Sequence, residues 1–299
     1  MPLVKLPNGI DLFYVTHGDL DRPAILICMG ISDNITNWTP GLYDPLVDAG
    51  YCVVVFELRD SGMSTKFDDF GYPDLEAAQI ILEKGGLPKA PYTAEDIAED
   101  ANLLLEHLGI ATAVVIGYSL GSLVALYFAL SYPKTTKGVV LLQGSSYNPD
   151  LPPRSARGVA ALGAALVPHS AQNDQVQAMF NCYHGINGSD LIMDEEEAMQ
   201  TARLSVGRGY CPVGSARLFL ARMATKPPFD RLHEITCPAL VLHGDSDPLF
   251  ALRCGEELAE SIPDARLFVI EGLGHNHPEA SKPIIMEQTL NFCQDIQHS

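Results

Sequence analysis

Lysine and arginine are scarce in this 299-residue sequence. They number 19 against 37 aspartates and glutamates, which gives a formal net charge of −18 at pH 7. Phosphate backbones and anionic lipid surfaces would repel such a chain, so we expect neither nucleic acid nor a membrane among its partners. The same charge favours small molecules that are neutral or cationic.

Long apolar runs and paired cysteines are also missing. No apolar run reaches the roughly 18 residues that span a bilayer. The segment Met1–Pro7 is short and leads into an Asn8-Gly9 turn, unlike a signal peptide. The seven cysteines are scattered without a C-x-x-C pair, and Cys28 and Cys52 lie in apolar runs where a reduced thiol behaves as a small hydrophobe. We therefore expect a cytoplasmic protein without disulfides.

Motifs for phosphate or metal binding are absent from the sequence. No G-x-G-x-x-G or other glycine-rich phosphate loop follows the first strand-like runs. The clusters Cys182–His184 and His275–His277 lack the further ligands that a zinc site needs. The sequence predicts no cofactor and no metal, and it leaves the oligomeric state open.

Short apolar runs rich in β-branched residues follow a hairpin in which an Asn8-Gly9 turn joins Leu3–Leu6 to Ile10–Val15. Runs without polar alternation are typical of strands buried on both faces. The runs are Ala24–Cys28, Tyr51–Phe56, Ala113–Ile116, Gly138–Leu142, Ala239–Leu242 and Leu267–Ile270.

Helical periodicity separates these runs. It is clearest over Thr93–Leu108, where Thr93 and Asp96 are spaced as a capping box. Further helical patterns cover Leu120–Ser131 and Lys282–Ile296. The alternation of strands and helices predicts an α/β fold with a mostly parallel, eight-stranded sheet and helices on both faces.

Two stretches interrupt the alternation. Residues 66–92 are interpreted as a loop insertion around a short helix. Residues 146–230 show several helical patterns and no convincing buried strand, so we interpret them as a helical lid over a core formed by residues 1–145 and 231–299. The lid's larger apolar side chains either pack together or line a pocket: Met179, Phe180, Tyr183, Tyr210, Phe219 and Met223.

The candidate nucleophile is Ser119, the centre of a G-x-S-x-G motif at Gly117–Gly121. A strand-like run precedes the motif and a helix-like run follows it, as a nucleophile elbow requires. Glycines at both ends suit a turn too tight for side chains. The alternative is an ordinary glycine turn with a passive serine.

A serine hydroxyl needs a base, and the base needs an anionic partner that fixes its tautomer. His275 follows the last strand-like run, where a loop can bring it to Ser119, so it is the favoured base over its neighbour His277. We expect His243, at a strand end, to be structural.

Two aspartates follow the strand that ends at Leu242. Asp247 has the reach to orient His275 and is the favoured acid of the triad. Asp245 lies closer to the strand and is better placed to brace the loop by accepting hydrogen bonds from backbone amides.

The oxyanion of a tetrahedral intermediate needs two preorganised donors. The backbone N–H of Leu120, at a helix N-terminus, is one candidate. The backbone N–H of Ile31 is the other, because Gly30 lets the loop after Cys28 turn that amide inward.

These motifs, in this order over nearly the whole chain, resemble the α/β-hydrolase superfamily. The runs Ile27–Gly30, Glu57–Thr65 and Pro91–Asp100 resemble the aclacinomycin methylesterase-like group, although Glu57 stands where an aspartate is usual. The lid sequence also differs from that group. The resemblance implies hydrolysis of a carboxylic methyl ester.

We therefore expect a carboxylesterase that acts through an acyl-enzyme on a small or secondary-metabolite-like ester. The same residues would serve a lactonase, a thioesterase or a cyclase. A non-catalytic ligand receptor on this fold is a further alternative. Haloalkane dehalogenase and epoxide hydrolase activities are disfavoured, because they require an aspartate where Ser119 stands.

Overall fold

A computed structural model describes residues 3–298 of the chain. Eight strands form one sheet in the order β1-β2-β4-β3-β5-β6-β7-β8. The strands are β1 (Leu3–Lys5), β2 (Asp11–His17), β3 (Ala24–Cys28), β4 (Cys52–Phe56), β5 (Ala113–Tyr118), β6 (Thr136–Leu142), β7 (Ala239–Gly244) and β8 (Ala265–Ile270). The predicted fold class is confirmed, and the strand bounds differ from the prediction by a few residues.

The sheet is parallel from β4 to β8, while β1 and β2 add an antiparallel edge. The central strands are buried on both faces, as their continuous apolar sequences predict. The prediction of two buried faces is wrong for β8, which lies at the sheet edge and has exposed or half-buried side chains at five of its six positions.

Ten helices accompany the sheet within the described residues. They are α1 (Pro40–Asp48), α2 (Leu75–Glu83), α3 (Ala94–His107), α4 (Leu120–Ser131), α5 (Ala156–Leu166), α6 (Gln172–Gly185), α7 (Glu195–Gly207), α8 (Pro212–Ala224), α9 (Leu252–Ser261) and α10 (Lys282–His298). Helices α3, α4 and α9 contribute to the core on one face of the sheet, and α1 and α10 to the core on the other. The predicted capping box of Thr93 and Asp96 starts α3.

Helices α5 to α8 lie within residues 146–230, here called the helical segment. This segment has a small core of its own, which includes Met179, Tyr183 and Tyr210. The ends of the predicted core domain, residues 1–2 and 299, lie outside the described residues. No helix between residues 3 and 298 is long and apolar enough to cross a membrane.

Candidate active site

Ser119 occupies a sharp turn between β5 and α4. Its backbone has φ 54° and ψ −114°, a conformation that costs a non-glycine residue about 1–3 kcal/mol. The turn requires its glycines, because a Cβ at Gly117 would lie 2.2 Å from the Gly121 carbonyl oxygen. A Cβ at Gly121 would lie 2.0 Å from the carbonyl oxygen of Cys28. The strand, turn and helix present Ser119 as a nucleophile elbow does.

A hydrogen-bonded chain joins the three side chains of the predicted triad. The Ser119 Oγ lies 2.9 Å from the Nε2 of His275. The Nδ1 of His275 lies 2.6 Å from the Oδ2 of Asp247. His275 is 2% exposed and Asp247 9%, so water is largely excluded from their contact. This geometry lets the imidazole take a proton from the serine while the carboxylate holds the ring's tautomer.

Two main-chain amides hold Asp247 in place. Its Oδ1 accepts hydrogen bonds from the amides of Leu249 and Phe250, at 2.7 and 2.9 Å. Burial alone would raise the pKa of Asp247, but the charge of His275 and its hydrogen bond hold that pKa below the ordinary value. The carboxylate therefore stays ionised beside the histidine.

The alternative candidates for the base and the acid have other hydrogen-bond partners. The Nε2 of His277 is 3.1 Å from the Oε1 of Gln143, and burial lowers the pKa of His277 to about 3. His243 contacts the Phe250 carbonyl at 2.8 Å through Nε2 and is fully buried. Asp245 accepts a hydrogen bond from the Gly272 amide at 2.8 Å and so braces the turn that precedes His275.

The predicted oxyanion donors flank the serine. Leu120 is the first residue of α4, and Ile31 lines the same cavity as Ser119 and His275. Between residues 3 and 298, neither amide donates a hydrogen bond to a protein acceptor. Gly30 is required here, because a Cβ would lie 2.9 Å from the ring of Tyr118. Both N–H groups are thus free to bind an oxygen at the turn.

The sequence pattern described as the alpha/beta hydrolase fold matches residues 23–278. The chain belongs to the α/β hydrolase fold family.

The hydrolase is similar in sequence to a methylesterase and to a depolymerase. It is 24% identical to rhodomycin D methylesterase DauP of Streptomyces sp. (strain C5), over 87% of each chain. It is 32% identical to a poly(3-hydroxyalkanoate) depolymerase of Ectopseudomonas oleovorans, over 72% of this chain and 75% of the depolymerase. The methylesterase relative confirms the resemblance stated from sequence, and the chain is an enzyme of the hydrolase class.

A solved structure shares the fold. The enol-lactonase from Burkholderia xenovorans LB400 aligns with a TM-score of 0.72 at 21% identity, over 98% of this chain and all of the lactonase. At that identity the likeness concerns the fold alone.

The cavity of the hydrolase beside Ser119 is small, about 40 Å³. Of the side chains predicted to line a pocket or pack, Met179 and Tyr183 line this cavity. Phe180 and Tyr210 pack within the helical segment, and Phe219 and Met223 pack against α2.

The helical segment holds the loop that carries His275. The His275 amide donates to the Ile186 carbonyl at 2.8 Å, and Asn276 donates through Nδ2 to the Tyr183 carbonyl at 3.1 Å. Gly188 and Gly274 approach so closely that a Cβ on Gly188 would lie 2.4 Å from the amide nitrogen of Gly274. The position of the histidine therefore depends on main-chain groups after α6.

The loop Glu57–Ser64, which follows β4, contacts the helical segment. Asp60 accepts two hydrogen bonds from the buried guanidinium of Arg217 on α8, at 2.9 and 2.7 Å. Glu57 accepts a hydrogen bond from the Met63 amide at 2.6 Å. A Cβ at Gly62 would lie 2.1 Å from the carboxyl group of Glu57, so the longer acid fits because residue 62 is glycine.

Sequence reasoning missed Gln143, which follows β6 with φ 49°. Its side chain donates to the Gly274 carbonyl and contacts His277, so it stabilises the loop that carries His275. It also missed Asp33, whose Oδ2 accepts a hydrogen bond from the Gly30 amide at 3.2 Å. A polar residue directly after an apolar strand is a signal that could have found Gln143, because strand ends of one parallel sheet share an edge.

Proposed function

We propose that this hydrolase cleaves carboxylic esters through an acyl-enzyme formed on Ser119. The observation that carries the proposal is the continuous hydrogen-bonded chain from Ser119 through His275 to Asp247. A base within reach of a serine, and an acid within reach of the base, are what covalent acyl transfer requires.

In the acylation step, the Oγ of Ser119 attacks the ester carbonyl carbon as Nε2 of His275 takes its proton. The negative charge that develops on the carbonyl oxygen is bound by the amides of Ile31 and Leu120. The protonated His275 then gives its proton to the departing alkoxide, and the alcohol leaves. Asp247 stabilises the imidazolium throughout.

Deacylation repeats these steps with water. His275 takes a proton from a water molecule that attacks the acyl-enzyme, and the same two amides bind the second oxyanion. Collapse of this intermediate breaks the bond to Ser119 and releases the carboxylic acid. The proton on His275 returns to the serine oxygen, which restores the enzyme.

We further infer that residues 146–230 act as the lid and that residues 3–145 and 231–298 form the catalytic core. Met179 and Tyr183 of the helical segment line the cavity beside Ser119, which supports this division. The small volume of that cavity favours an ester whose group next to the carbonyl is compact.

A fluorophosphonate probe tests the proposal. We expect the native enzyme to be labelled and Ser119→Ala to be unlabelled, with kcat for p-nitrophenyl acetate at least about 10³-fold lower. Ser261→Ala, on α9, is the matched control and should behave as the native enzyme does. Equal labelling of native enzyme and Ser119→Ala would refute the serine mechanism.

A panel of substrates shows which type of bond the enzyme cleaves. Methyl esters, lactones and thioesters of matched acyl length should all report on the same triad, and we expect the highest kcat/KM for esters. A panel in which only a lactone is turned over would assign the enzyme as a lactonase. Binding of these compounds without turnover would instead support the receptor alternative.

A further inference from the structure

Two arginines near the catalytic cavity lack a carboxylate partner. Among residues 3–298, neither Arg154 nor Arg222 forms an ion pair with an aspartate or glutamate. The Nε of Arg222 is buried and has no hydrogen-bond partner. This is notable in a chain whose acidic residues outnumber its basic ones by 37 to 19.

Other arginines removed from solvent are paired. Arg59 binds the buried carboxylate of Asp100 at 2.6 Å, and Arg217 binds that of Asp60 at 2.7 Å. A guanidinium loses hydration when it is covered, and an acidic partner normally compensates for that loss. Arg154 and Arg222 are half-buried and have no acidic partner among residues 3–298.

Aromatic rings hold the two guanidinium groups in place. Arg154 lies 5.6 Å and Arg222 5.9 Å from the centroid of the same Phe219 ring. Arg222 also lies 4.3 Å from the centroid of Tyr147, and Arg154 lies 5.3 Å from that of Phe250. These cation–π contacts fix the positions of the cations and leave N–H groups free to donate.

The positive charges of Arg154 and Arg222 also repel each other. Burial and the nearby charge of Arg154 both lower the pKa of Arg222, while Tyr147 raises it. The positive charges of Arg154 and Arg222 act on each other, and an anion bound near both would reduce this repulsion.

A cavity of about 370 Å³ opens beside both side chains. Its wall includes Tyr147, Arg154 and Phe250, and these three residues also line the cavity that contains Ser119. The ring of Phe250 lies 5.3 Å from that of His275, centroid to centroid. The two cavities therefore share part of their lining next to the catalytic histidine.

We propose that Arg154 and Arg222 form an anion subsite, and that the hydrolase acts on esters that carry a carboxylate away from the scissile bond. This inference rests on the proposed function for the reaction and names the class of substrate. The planar guanidinium groups match the geometry of a carboxylate.

A monoanion is favoured over a phosphate dianion by the charge of the whole chain. The net charge of −18 repels every anion, and it repels a dianion about twice as strongly. The total charge alone favours neutral or cationic ligands, but two fixed arginines outweigh it at this one position because they act at contact distance. The buried Glu257 already accepts hydrogen bonds from Ser146 and from Asn148, which lines this cavity.

Two sets of matched substrates test the subsite. On the acyl side, the mono-p-nitrophenyl esters of succinic, glutaric and adipic acids are compared with the corresponding ω-carboxamide esters. On the alcohol side, 4-acetoxybenzoate is compared with 4-acetoxybenzamide. We expect the carboxylate to raise kcat/KM at least about 10-fold in one of the two comparisons, as a charge-assisted hydrogen bond would.

The variants Arg154→Gln and Arg222→Gln should remove most of this preference by raising KM for the carboxylate substrate. Arg253→Gln, which removes a positive charge from exposed α9, is the control and should keep the native preference. Equal kcat/KM within every pair for the native enzyme, or a preference that survives in both variants, would overturn the proposal.

Binding is also measured without catalysis. Glutarate, but not glutaramide, should raise the melting temperature of the native protein, and the rise should be absent in Arg222→Gln. No rise with glutarate, or a rise with phosphate alone, would overturn the assignment. If Ser119 is not labelled and no ester is cleaved, the proposed function fails, and this thermal measurement still decides the subsite.

Discussion

At the scale of single residues, Asp33 shows how the loop after β3 is held. It is 9% exposed, and within residues 3–298 the Gly30 amide is the one donor to its carboxyl group. Burial raises the pKa of Asp33 to about 7, and the hydrogen bond from Gly30 only partly opposes this. The carboxyl group next to the Ile31 amide therefore tends to hold its proton.

This carboxyl makes stability depend on pH. Between about pH 4 and pH 7 the folded state keeps a proton that the unfolded state releases, so the free energy of unfolding falls as pH rises through this range. We expect Asp33→Asn, which keeps the acceptor for Gly30 and cannot ionise, to be more stable relative to the native protein at pH 8 than at pH 5. Urea unfolding at both values measures this, and a difference independent of pH would contradict it.

Replacement of Asp247 by asparagine tests the orientation of His275. The asparagine oxygen would remain bound to the Leu249 and Phe250 amides, so its NH2 group would face Nδ1 and the tautomer with a basic Nε2 would be lost. We expect kcat to fall about 10³- to 10⁴-fold with little change in melting temperature. In Asp245→Asn the oxygen that accepts from Gly272 is retained, so activity should change by less than tenfold; a matching loss in both variants would argue against distinct roles.

At this scale, sequence predicts residues whose chemistry is tied to a local motif. Ser119 is defined by the glycines two positions away on each side. Asp33 and Arg154 have no such signature, because their roles depend on neighbours that are distant in the chain. Asp33 is buried by side chains that include Tyr183, from the helical segment.

At the scale of elements, the turn between β5 and α4 tolerates no added atoms. In Gly121→Ala the new methyl group would meet the carbonyl of Cys28 at the end of β3, which the sheet prevents from moving. We expect a loss of about 3 kcal/mol in the free energy of unfolding together with loss of activity.

Gly163→Ala is the matched control for that substitution. Gly163 lies within α5, and a Cβ there has no atom within 4 Å. Alanine should stabilise this helix by up to about 1 kcal/mol. Thermal melts of both variants make the comparison; similar melting temperatures would show that packing at the turn does not limit the fold.

Elements of the core were predictable because each carries its own periodicity. Continuous apolar runs gave the parallel strands, and Thr93 with Asp96 gave the start of α3. The exposure of β8 was not predictable from its sequence, since Leu267–Ile270 is as apolar as the central strands. Its position at the sheet edge follows from the order of strands, which no single run encodes.

At the scale of the whole molecule, one buried ion pair ties the helical segment to the core. Arg217 on α8 is fully buried and binds both carboxylate oxygens of Asp60, a residue 157 positions earlier in the chain. Tyr92 donates to the same carboxylate at 2.6 Å. Removal of the guanidinium leaves a buried carboxylate without its main partner.

We expect Arg217→Ala to lower the free energy of unfolding by about 3–5 kcal/mol, the usual cost of breaking such a pair. Arg203→Ala, on the exposed face of α7, removes the same charge from solvent and should change stability by less than about 0.5 kcal/mol. Guanidinium unfolding curves provide the measurement. Equal effects of both variants would show that total charge, rather than this contact, matters.

The contacts between the helical segment and the loop that carries His275 limit which lid sequences this fold can accept. Because Ile186 and Gly188 contact the main chain of Gly274 and His275, a lid transplanted from a relative would arrive without the surface that seats this loop. A chimera that exchanges residues 146–230 alone should fold with a displaced base. Exchange of residues 271–277 together with residues 146–230 should restore the position of the base. The two stretches would therefore have to change together when the enzyme acquires a new specificity.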